Sequence, residues 1–395
     1  MGLLTTIGDV LSPEAFYVVN PRNTNRKNSL ERISVRESLA YLFKRGRLPT
    51  GQKLTLVSSG GAVKDYIAAG FLKLFHEYGL PPDEYVLTSG SSFAVLYVVG
   101  GGDYKKLEDF IIHIPEMIKY RKPPLIVSGL NWFIPKGKEG LLKLSVLYES
   151  LKKGEQLETE EGLYITNRGA VDISQLEHRL KEFCNECKGD ANLPIGDVKN
   201  VLIMALDLEK GVVALGRDHP DMPLYLALSS AIAIPHLLPP RLFRPKDSNK
   251  PVVLTDAADI CYLPLLPDLI DKNSTIVAVD LAYNSSPFND SGLDLSGVDG
   301  FKKIEERINF IRIRENTRRL TQLMTNCTPE ELDRYGDRRG LRTLYIAPHI
   351  EGIPPETLKI DKSKILELIE QGYKLMKERT KDFRVPLFNV PAWIH

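Results

Sequence analysis

A serine in a turn of small residues is the strongest candidate for chemistry in this sequence. The segment Gly90-Ser91-Ser92-Phe93-Ala94 differs at one position from the GxSxG pattern, whose central serine is a nucleophile. It follows a β-prone run at 85–88 and precedes an apolar helical run, so the chain turns sharply from strand to helix. Such a turn lifts one side chain beside a helix N-terminus, where backbone N–H groups favour an oxyanion. The spacing therefore predicts Ser92 as a nucleophile.

A glycine-rich turn lies earlier in the chain, and one predicted helix separates it from this segment. Residues 54–58 predict a strand, and Ser59-Gly60-Gly61-Ala62-Val63-Lys64-Asp65 follows it. Glycines let backbone N–H groups approach an anion without obstruction by a Cβ atom. The phosphate-loop pattern GxxxxGK[ST] and the dinucleotide pattern GxGxxG are both absent from the sequence. The turn is therefore a candidate cradle for an oxyanion.

Strands and helices alternate along the remainder of the chain. We expect further strands at 201–206, 211–215, 252–255, 275–281 and 343–347, and helices around 67–78, 176–183, 224–234, 301–311 and 365–376. This alternation predicts an α/β fold with a largely parallel sheet. Residues 1–50 are polar and broken by turn residues, so we expect an N-terminal extension there, followed by a catalytic domain at 51–395.

Composition and cysteine spacing exclude several classes of partner. Lys and Arg number 52 against 51 Asp and Glu, so net charge gives no reason to expect nucleic acid. The pair Cys184 and Cys187 has no second pair at zinc spacing, so we expect neither a metal nor a cofactor. We find no secretory signal and no apolar run of about 18 residues, which predicts a cytoplasmic protein.

One apolar segment has two interpretations. Trp132 and Phe133 lie in a run flanked by basic residues, an arrangement typical of peripheral contact with a membrane. The same run is also compatible with a hydrophobic loop packed over the core. The sequence leaves both open, together with the oligomeric state.

Three stretches, taken in order, resemble the patatin-like phospholipase family. They are the turn at 59–64, the serine segment at 90–94 and Asp256-Ala257-Ala258, and the helix at 227–235 that ends in Ala-Ile-Pro is also similar. The resemblance covers roughly residues 52–380. It implies a three-layer α/β/α fold with a mostly parallel central sheet. It also implies that a Ser-Asp dyad hydrolyses acyl esters of phospholipids without a metal, as phospholipases A and lysophospholipases do.

The resemblance assigns a role to each site residue. Ser92 would attack the ester carbonyl, and Asp256 would take its proton and return it to the leaving alcohol. The N–H groups of Gly60, Gly61 and Ala62 would hold the oxyanion. Lys64, at the family's basic position, would add positive field.

Four positions depart from the family's glycines, namely Ala62, Asp65, Ala94 and Ala257. Added side chains at tight turns alter backbone geometry. Asp65 also puts a carboxylate near the cradle, where it would offset Lys64 or pair with it. An alternative is therefore a catalytically degenerate member that binds lipid or a protein partner.

A Ser-His-Asp triad is a second alternative. It needs a late histidine, for which His349 and His395 are the candidates. Neither lies in a recognisable loop after an acidic partner.

Overall fold

The fold is described from a computed structural model. It describes residues 53–120, 171–281, 297–329 and 343–381, apart from gaps at 236–237, 247, 249, 272–273, 326–327, 351–352 and 354–358. A separate pair of short antiparallel strands, Leu157–Thr159 and Gly162–Tyr164, is also described. The expected extension at 1–50, the apolar segment with Trp132 and Phe133, and His395 lie outside the described residues.

An eight-stranded sheet is the centre of the described structure. Its order is β8-β7-β1-β2-β3-β6-β5, with β4 paired to β3, for β1 (Leu54–Ser58), β2 (Glu84–Thr88), β3 (Val201–Asp207), β4 (Gly211–Ala214), β5 (Arg241–Phe243), β6 (Val252–Asp256), β7 (Thr275–Val279) and β8 (Thr343–Ile346). Four pairings, from β8 through β7, β1 and β2 to β3, are parallel. The three pairings that involve β4, β5 and β6 are antiparallel. The sheet is thus mostly parallel, as predicted.

Helices cover the sheet and connect its strands. They are α1 (Tyr66–Glu77), α2 (Val95–Val99), α3 (Tyr104–Ile111), α4 (Ile114–Met117), α5 (Ser174–Lys188), α6 (Leu215–Asp218), α7 (Leu224–Ala231), α8 (Gly297–Thr325) and α9 (Lys362–Lys381). Short 3-10 turns at Ala62–Asp65, Ser89–Ala94 and Ile195–Asp197 complete the helical structure. In the part of the chain that the structure describes, no helix is both long and apolar enough to cross a membrane.

Apolar side chains alternate between two cores, one on each face of the sheet. Leu56 and Leu87 belong to the core that contains α1 and α9, while their neighbours Val57 and Val86 belong to the other core. Successive side chains of a strand point to opposite faces, so buried parallel strands carry apolar residues at every position. Leu320 of α8 packs against the second core. The result is the predicted three-layer α/β/α arrangement.

Two glycines let α1 and α9 cross in backbone contact. A Cβ atom on Gly70 would overlap the carbonyl oxygen of Ile369 and lie 2.6 Å from Tyr373 N. A Cβ atom on Gly372 would likewise overlap the carbonyl oxygen of Ile67. Only glycine leaves room for so close an approach. The crossing fixes α1, and α1 begins directly after the glycine-rich turn.

The predicted strands and helices are found within a few residues of their expected ends. The helix expected around 301–311 is part of the much longer α8, whose Ile308 and Ile311 are exposed rather than buried. The contact between α8 and the sheet comes later, around Leu320 and Met324. Local spacing identified the helix, but it did not identify the turns that contact the core.

Candidate active site

The chain changes direction sharply at Ser89. Strand β2 ends at Thr88, and a 3-10 turn that leads into α2 begins at the next residue. Ser89 has a φ of 57°, in the left-handed region that costs an L-residue about 1–3 kcal/mol. Three non-glycine residues in the described chain have a positive φ, and two of them, Ala62 and Ser89, belong to the glycine-rich turn and the serine turn. Ser89 is therefore the residue on the strained strand-to-helix corner.

Strand register brings Asp256 to this corner. Thr88 of β2 is opposite Met204 of β3, and Asp256 of β6 is opposite Ala205. Strand β4 pairs along the other edge of β3, so β2 and β6 share one edge and run toward each other. Their carboxyl ends meet there, one residue apart in register. Antiparallel pairing of β6 thus places Asp256 beside Ser89, which is 167 residues away in sequence.

Ser89 and Asp256 form a buried hydrogen-bonded pair. Ser89 Oγ donates to Asp256 Oδ2 at 2.6 Å, and the backbone N–H of Ala258 donates to Oδ1 at 2.8 Å. Burial raises the pKa of Asp256 to about 7, against the lowering effect of both hydrogen bonds, and the charge of Asp259 acts in the same direction as burial. A carboxyl with a pKa near 7 is suited to accept a proton from a hydroxyl at neutral pH.

Ser92 has a different environment. It is fully buried, and its Oγ donates at 2.5 Å to the carbonyl oxygen of Ser89. The geometry thus pairs Asp256 with the serine three positions earlier than the one favoured by the GxSxG pattern. Ser92 as nucleophile stays a prediction. The signal that points to Ser89 is its place directly after the last residue of β2, since a nucleophile elbow starts where the strand ends.

The glycine-rich turn packs directly against Ser89. A Cβ atom on Gly60 would lie 2.9 Å from Ser89 Cβ, which explains glycine at that position. The N–H of Gly60 donates to the carbonyl oxygen of Tyr262 at 3.1 Å, so this N–H is already engaged within the fold. The carbonyl oxygen of Gly61 accepts from the N–H of Lys64 at 3.0 Å, and Lys64 is buried. The structure thus brings the predicted cradle to the elbow.

Of the three alanines at positions where the resemblance implies glycine, Ala62 alone has a positive φ, at 51°. Alanine in this region is strained because its Cβ crowds the following carbonyl group. Ala94 has an ordinary helical φ of −57°. Ala257 is fully buried in the second core. The expected disturbance from added methyl groups is therefore concentrated at Ala62.

Asp65 lies between the two turns. A Cβ atom on Gly90 would overlap Asp65 Oδ2, and one on Gly61 would lie 3.2 Å from Asp65 Oδ1. Both carboxyl oxygens are buried, and no hydrogen bond of good geometry reaches either. Burial raises the pKa of Asp65 well above its usual range, and the charge of Asp256 adds to this. The N–H groups of Gly61 and Ser91 and the charge of Lys64 act in the opposite direction.

An apolar cavity adjoins both turns. It encloses about 760 Å³ of empty space, part of it continuous with solvent, and its wall includes Gly90 and Ser91 from the elbow and Ala62 and Asp65 from the glycine-rich turn. The remaining wall is dominated by aliphatic side chains, among them Leu107, Ile111, Ile114, Ile118, Ile173 and Ile234. An apolar lining of this kind suits an apolar ligand chain.

The described part of the site contains neither a histidine beside the elbow serine nor a cluster of metal-ligating side chains. The acceptor for the elbow hydroxyl is the carboxylate of Asp256, while His349 is exposed beyond the end of β8. Over the ranges described, no cluster of three or more His, Cys, Asp or Glu side chains has the arrangement of a metal site.

Comparison with known proteins adds little to this description. No protein-family model and no curated protein matches the sequence. Among solved structures, VipD from Legionella pneumophila is similar with a TM-score of 0.40 and 14% identity, over 92% of this chain and 72% of that one. A likeness this distant assigns no function.

Proposed function

We propose that this protein is a serine hydrolase that cleaves acyl esters of lipids, with phospholipids as the substrate class. The observation that carries the proposal is the hydrogen bond from Ser89 Oγ to Asp256 Oδ2, together with an apolar cavity whose wall begins at Gly90, the residue after Ser89. A hydroxyl in contact with a carboxylate of raised pKa provides a nucleophile and its base. The cavity provides a binding site for an acyl chain next to that pair.

The reaction has two halves, acylation and deacylation, and each half has two proton transfers. Ser89 Oγ attacks the ester carbonyl carbon while Asp256 takes the hydroxyl proton, and a tetrahedral oxyanion forms. The intermediate collapses to an acyl-serine when the C–O bond to the alcohol breaks and Asp256 returns the proton to that alcohol. Water then attacks the acyl-serine by the same sequence, with Asp256 as base. The products are a fatty acid and the freed alcohol.

The oxyanion is stabilised by the two turns that meet at Ser89. In a nucleophile elbow the donors are the N–H after the nucleophile and an N–H from a neighbouring loop. Here these are the N–H groups of Gly90 and Gly61, because Gly60 N–H already donates to Tyr262. Each such donor is worth about 3–4 kcal/mol in the transition state. Buried Lys64 adds a positive charge nearby.

Ser89 is the proposed nucleophile, in preference to Ser92, on two grounds. Its hydroxyl contacts the base, whereas the hydroxyl of Ser92 is committed to a backbone carbonyl. Its backbone is held in a strained conformation, and such strain persists where surrounding structure enforces it, often at active sites.

Fatty acid release from mixed phospholipid vesicles tests the proposal. We expect Ser89→Ala and Asp256→Asn to reduce the rate by at least about 10³-fold, because each removes a group that acts in the chemical step. Ser92→Ala, the matched control three residues away, should retain activity within about tenfold, since truncation removes only one hydrogen bond to a backbone carbonyl. Loss in Ser92→Ala with retention in Ser89→Ala would restore the assignment made from the motif.

A non-catalytic lipid-binding protein is the second candidate function. The observation that favours it is the carboxyl of Asp65, which lies between the two turns where an oxyanion would be held. Labelling with a fluorophosphonate distinguishes the two, since only an activated serine is phosphonylated. Labelling of the peptide at Ser89, absent in Ser89→Ala, supports the hydrolase. Absence of labelling in folded wild-type protein, with retained binding of fatty acid, supports the binding protein.

A further inference from the structure

The carboxyl of Asp65 is buried next to the candidate site and has no role in the proposed reaction. It has 7% of its surface exposed, and no hydrogen bond of good geometry reaches either oxygen. Burial of a polar group in this state is unfavourable, so the group needs either a ligand or a reason to be retained. Asp65 also lines the apolar cavity, so a bound molecule can reach it.

Asp65 lies next to both turns of the candidate site. Its Oδ2 packs on Gly90, the residue after the proposed nucleophile, and its Oδ1 faces Gly61. The N–H groups of Gly61 and Ser91 are close enough to affect its ionisation. The carboxyl therefore adjoins the two segments that would bind the oxyanion.

A carboxyl in this position acts differently in its two protonation states. As an anion it repels a developing oxyanion, whereas as a neutral acid it donates one O–H hydrogen bond. The groups that face it are Asp256, Lys64, Tyr66 and Tyr262. Two of these are tyrosines whose own pKa values are raised by burial, one is the second buried carboxyl, and one is a lysine. Burial and the neighbouring carboxyl together favour the neutral form of Asp65.

We infer that Asp65, as a neutral carboxylic acid, donates a hydrogen bond to the oxyanion and is thus a further catalytic residue. This inference rests on the proposed hydrolase function. It gives the replacement of a family glycine by aspartate a chemical role, since an O–H donor is added to a cradle whose backbone is strained at Ala62. No proton leaves Asp65 during the reaction, because its part is to stabilise the charge on oxygen.

Two substitutions at Asp65 test the inference kinetically. Asp65→Ala removes the donor, and we expect kcat to fall by about 10²–10³-fold with little change in KM. Asp65→Asn has nearly the same shape and retains an uncharged donor, so it should recover activity to within about tenfold of wild type. The wild-type rate should also decline at alkaline pH as Asp65 ionises, and Asp65→Asn should lack that decline. Thermal melting of each variant checks that it is folded.

Infrared difference spectra of wild type and Asp65→Asn at neutral pH provide a readout that does not depend on turnover. Loss of a protonated-carboxyl band in the variant supports the inference, while loss of a carboxylate band overturns it. Equal or higher activity in Asp65→Ala also overturns it and identifies the carboxyl as an obstruction. If wild type is active and Ser89→Ala is inactive, either of these results overturns only the role of Asp65 and leaves the hydrolase proposal intact. A folded but inactive wild-type protein overturns the hydrolase, and this inference with it.

Discussion

The two halves of the candidate site are built differently. In the elbow half, the strained residue Ser89 donates to Asp256, and Asp256 also accepts from Ala258 N–H, so the buried carboxylate has two partners. In the half formed by the glycine-rich turn, the strained residue is Ala62, and no hydrogen bond of good geometry reaches the buried carboxyl of Asp65. Both halves contain strain and a buried acid. The acid of the elbow half accepts a side-chain hydrogen bond, from Ser89, whereas Asp65 has only the weaker influence of the Gly61 and Ser91 N–H groups.

The two acids differ in what opposes the effect of burial on the pKa. Hydrogen bonds to a carboxylate favour ionisation and partly offset the effect of burial, which leaves the pKa of Asp256 at about 7. At Asp65 burial outweighs the opposing effects of the Gly61 and Ser91 N–H groups and of the charge of Lys64, and the pKa is raised well above the usual range.

Substitution of Gly90 would break the contact between the halves and should have the largest effect among the following changes. A Cβ atom there would overlap Asp65 Oδ2 and lie 2.8 Å from the carbonyl oxygen of Ala62. We expect Gly90→Ala to lower the free energy of unfolding by about 1–3 kcal/mol and the rate by about 100-fold, because small displacements of catalytic groups are costly. Denaturant titration and vesicle hydrolysis measure the two effects.

The double variant Gly90→Ala with Asp65→Gly is the control. Removal of the carboxyl should recover part of the stability, since only the overlap with Ala62 remains. Strict additivity of the two stability changes would mean that Asp65 and Gly90 are not in contact.

The pH dependence should sharpen the comparison, because Asp256 affects activity and stability in opposite directions. The rate requires the carboxylate, so kcat/KM should fall about tenfold per pH unit below pH 7. Folding favours the protonated form, because the pKa is raised from 3.8 to about 7 on folding. The stabilisation is therefore complete below pH 3.8 and is lost as pH rises through about 7.

Measurements of kcat/KM and of the free energy of unfolding from pH 5 to 8 test this prediction. Asp256→Asn should flatten the decline in stability with pH. If stability declines with pH to the same extent in Asp256→Asn, another group causes the decline. Asp65 would be the first to examine, with the variant Asp65→Asn.

Ala62→Gly should have the smallest effect. Glycine adopts the φ of 51° without a steric penalty but is more flexible in the unfolded chain, so we expect a net stabilisation of about 0.5–1 kcal/mol. Ala94→Gly is the matched control, because Ala94 has a helical φ and should lose stability on the same change. Destabilisation by Ala62→Gly comparable to that of the control would show that the turn is not strained.

Local patterns in the sequence were sufficient to predict the strands of the central sheet other than β5, the α/β class and the two turns. Residues 54–58 and 252–256 are apolar β-prone runs, and Gly79, with a φ of 65°, follows the end of the first helix. These features depend on neighbours along the chain, where propensity and spacing act. The glycines at 60 and 90 were recognisable for the same reason, although the sequence does not reveal which atoms approach them.

The tertiary structure determined which serine donates a hydrogen bond to Asp256 and that the carboxyl of Asp65 lies between Gly61 and Gly90. The sequence favoured Ser92 from its motif, but contact with Asp256 depends on where β2 ends and on the register of β2 and β6 along β3. The pairing of β2 with β3 joins segments more than 100 residues apart (Thr88 with Met204), and the pairing of β6 with β3 joins Asp256 to Ala205, also far beyond the range of local propensity. The pKa values of Asp256 and Asp65 depend in turn on burial and on hydrogen bonds across the fold, because desolvation acts only once distant segments have packed together.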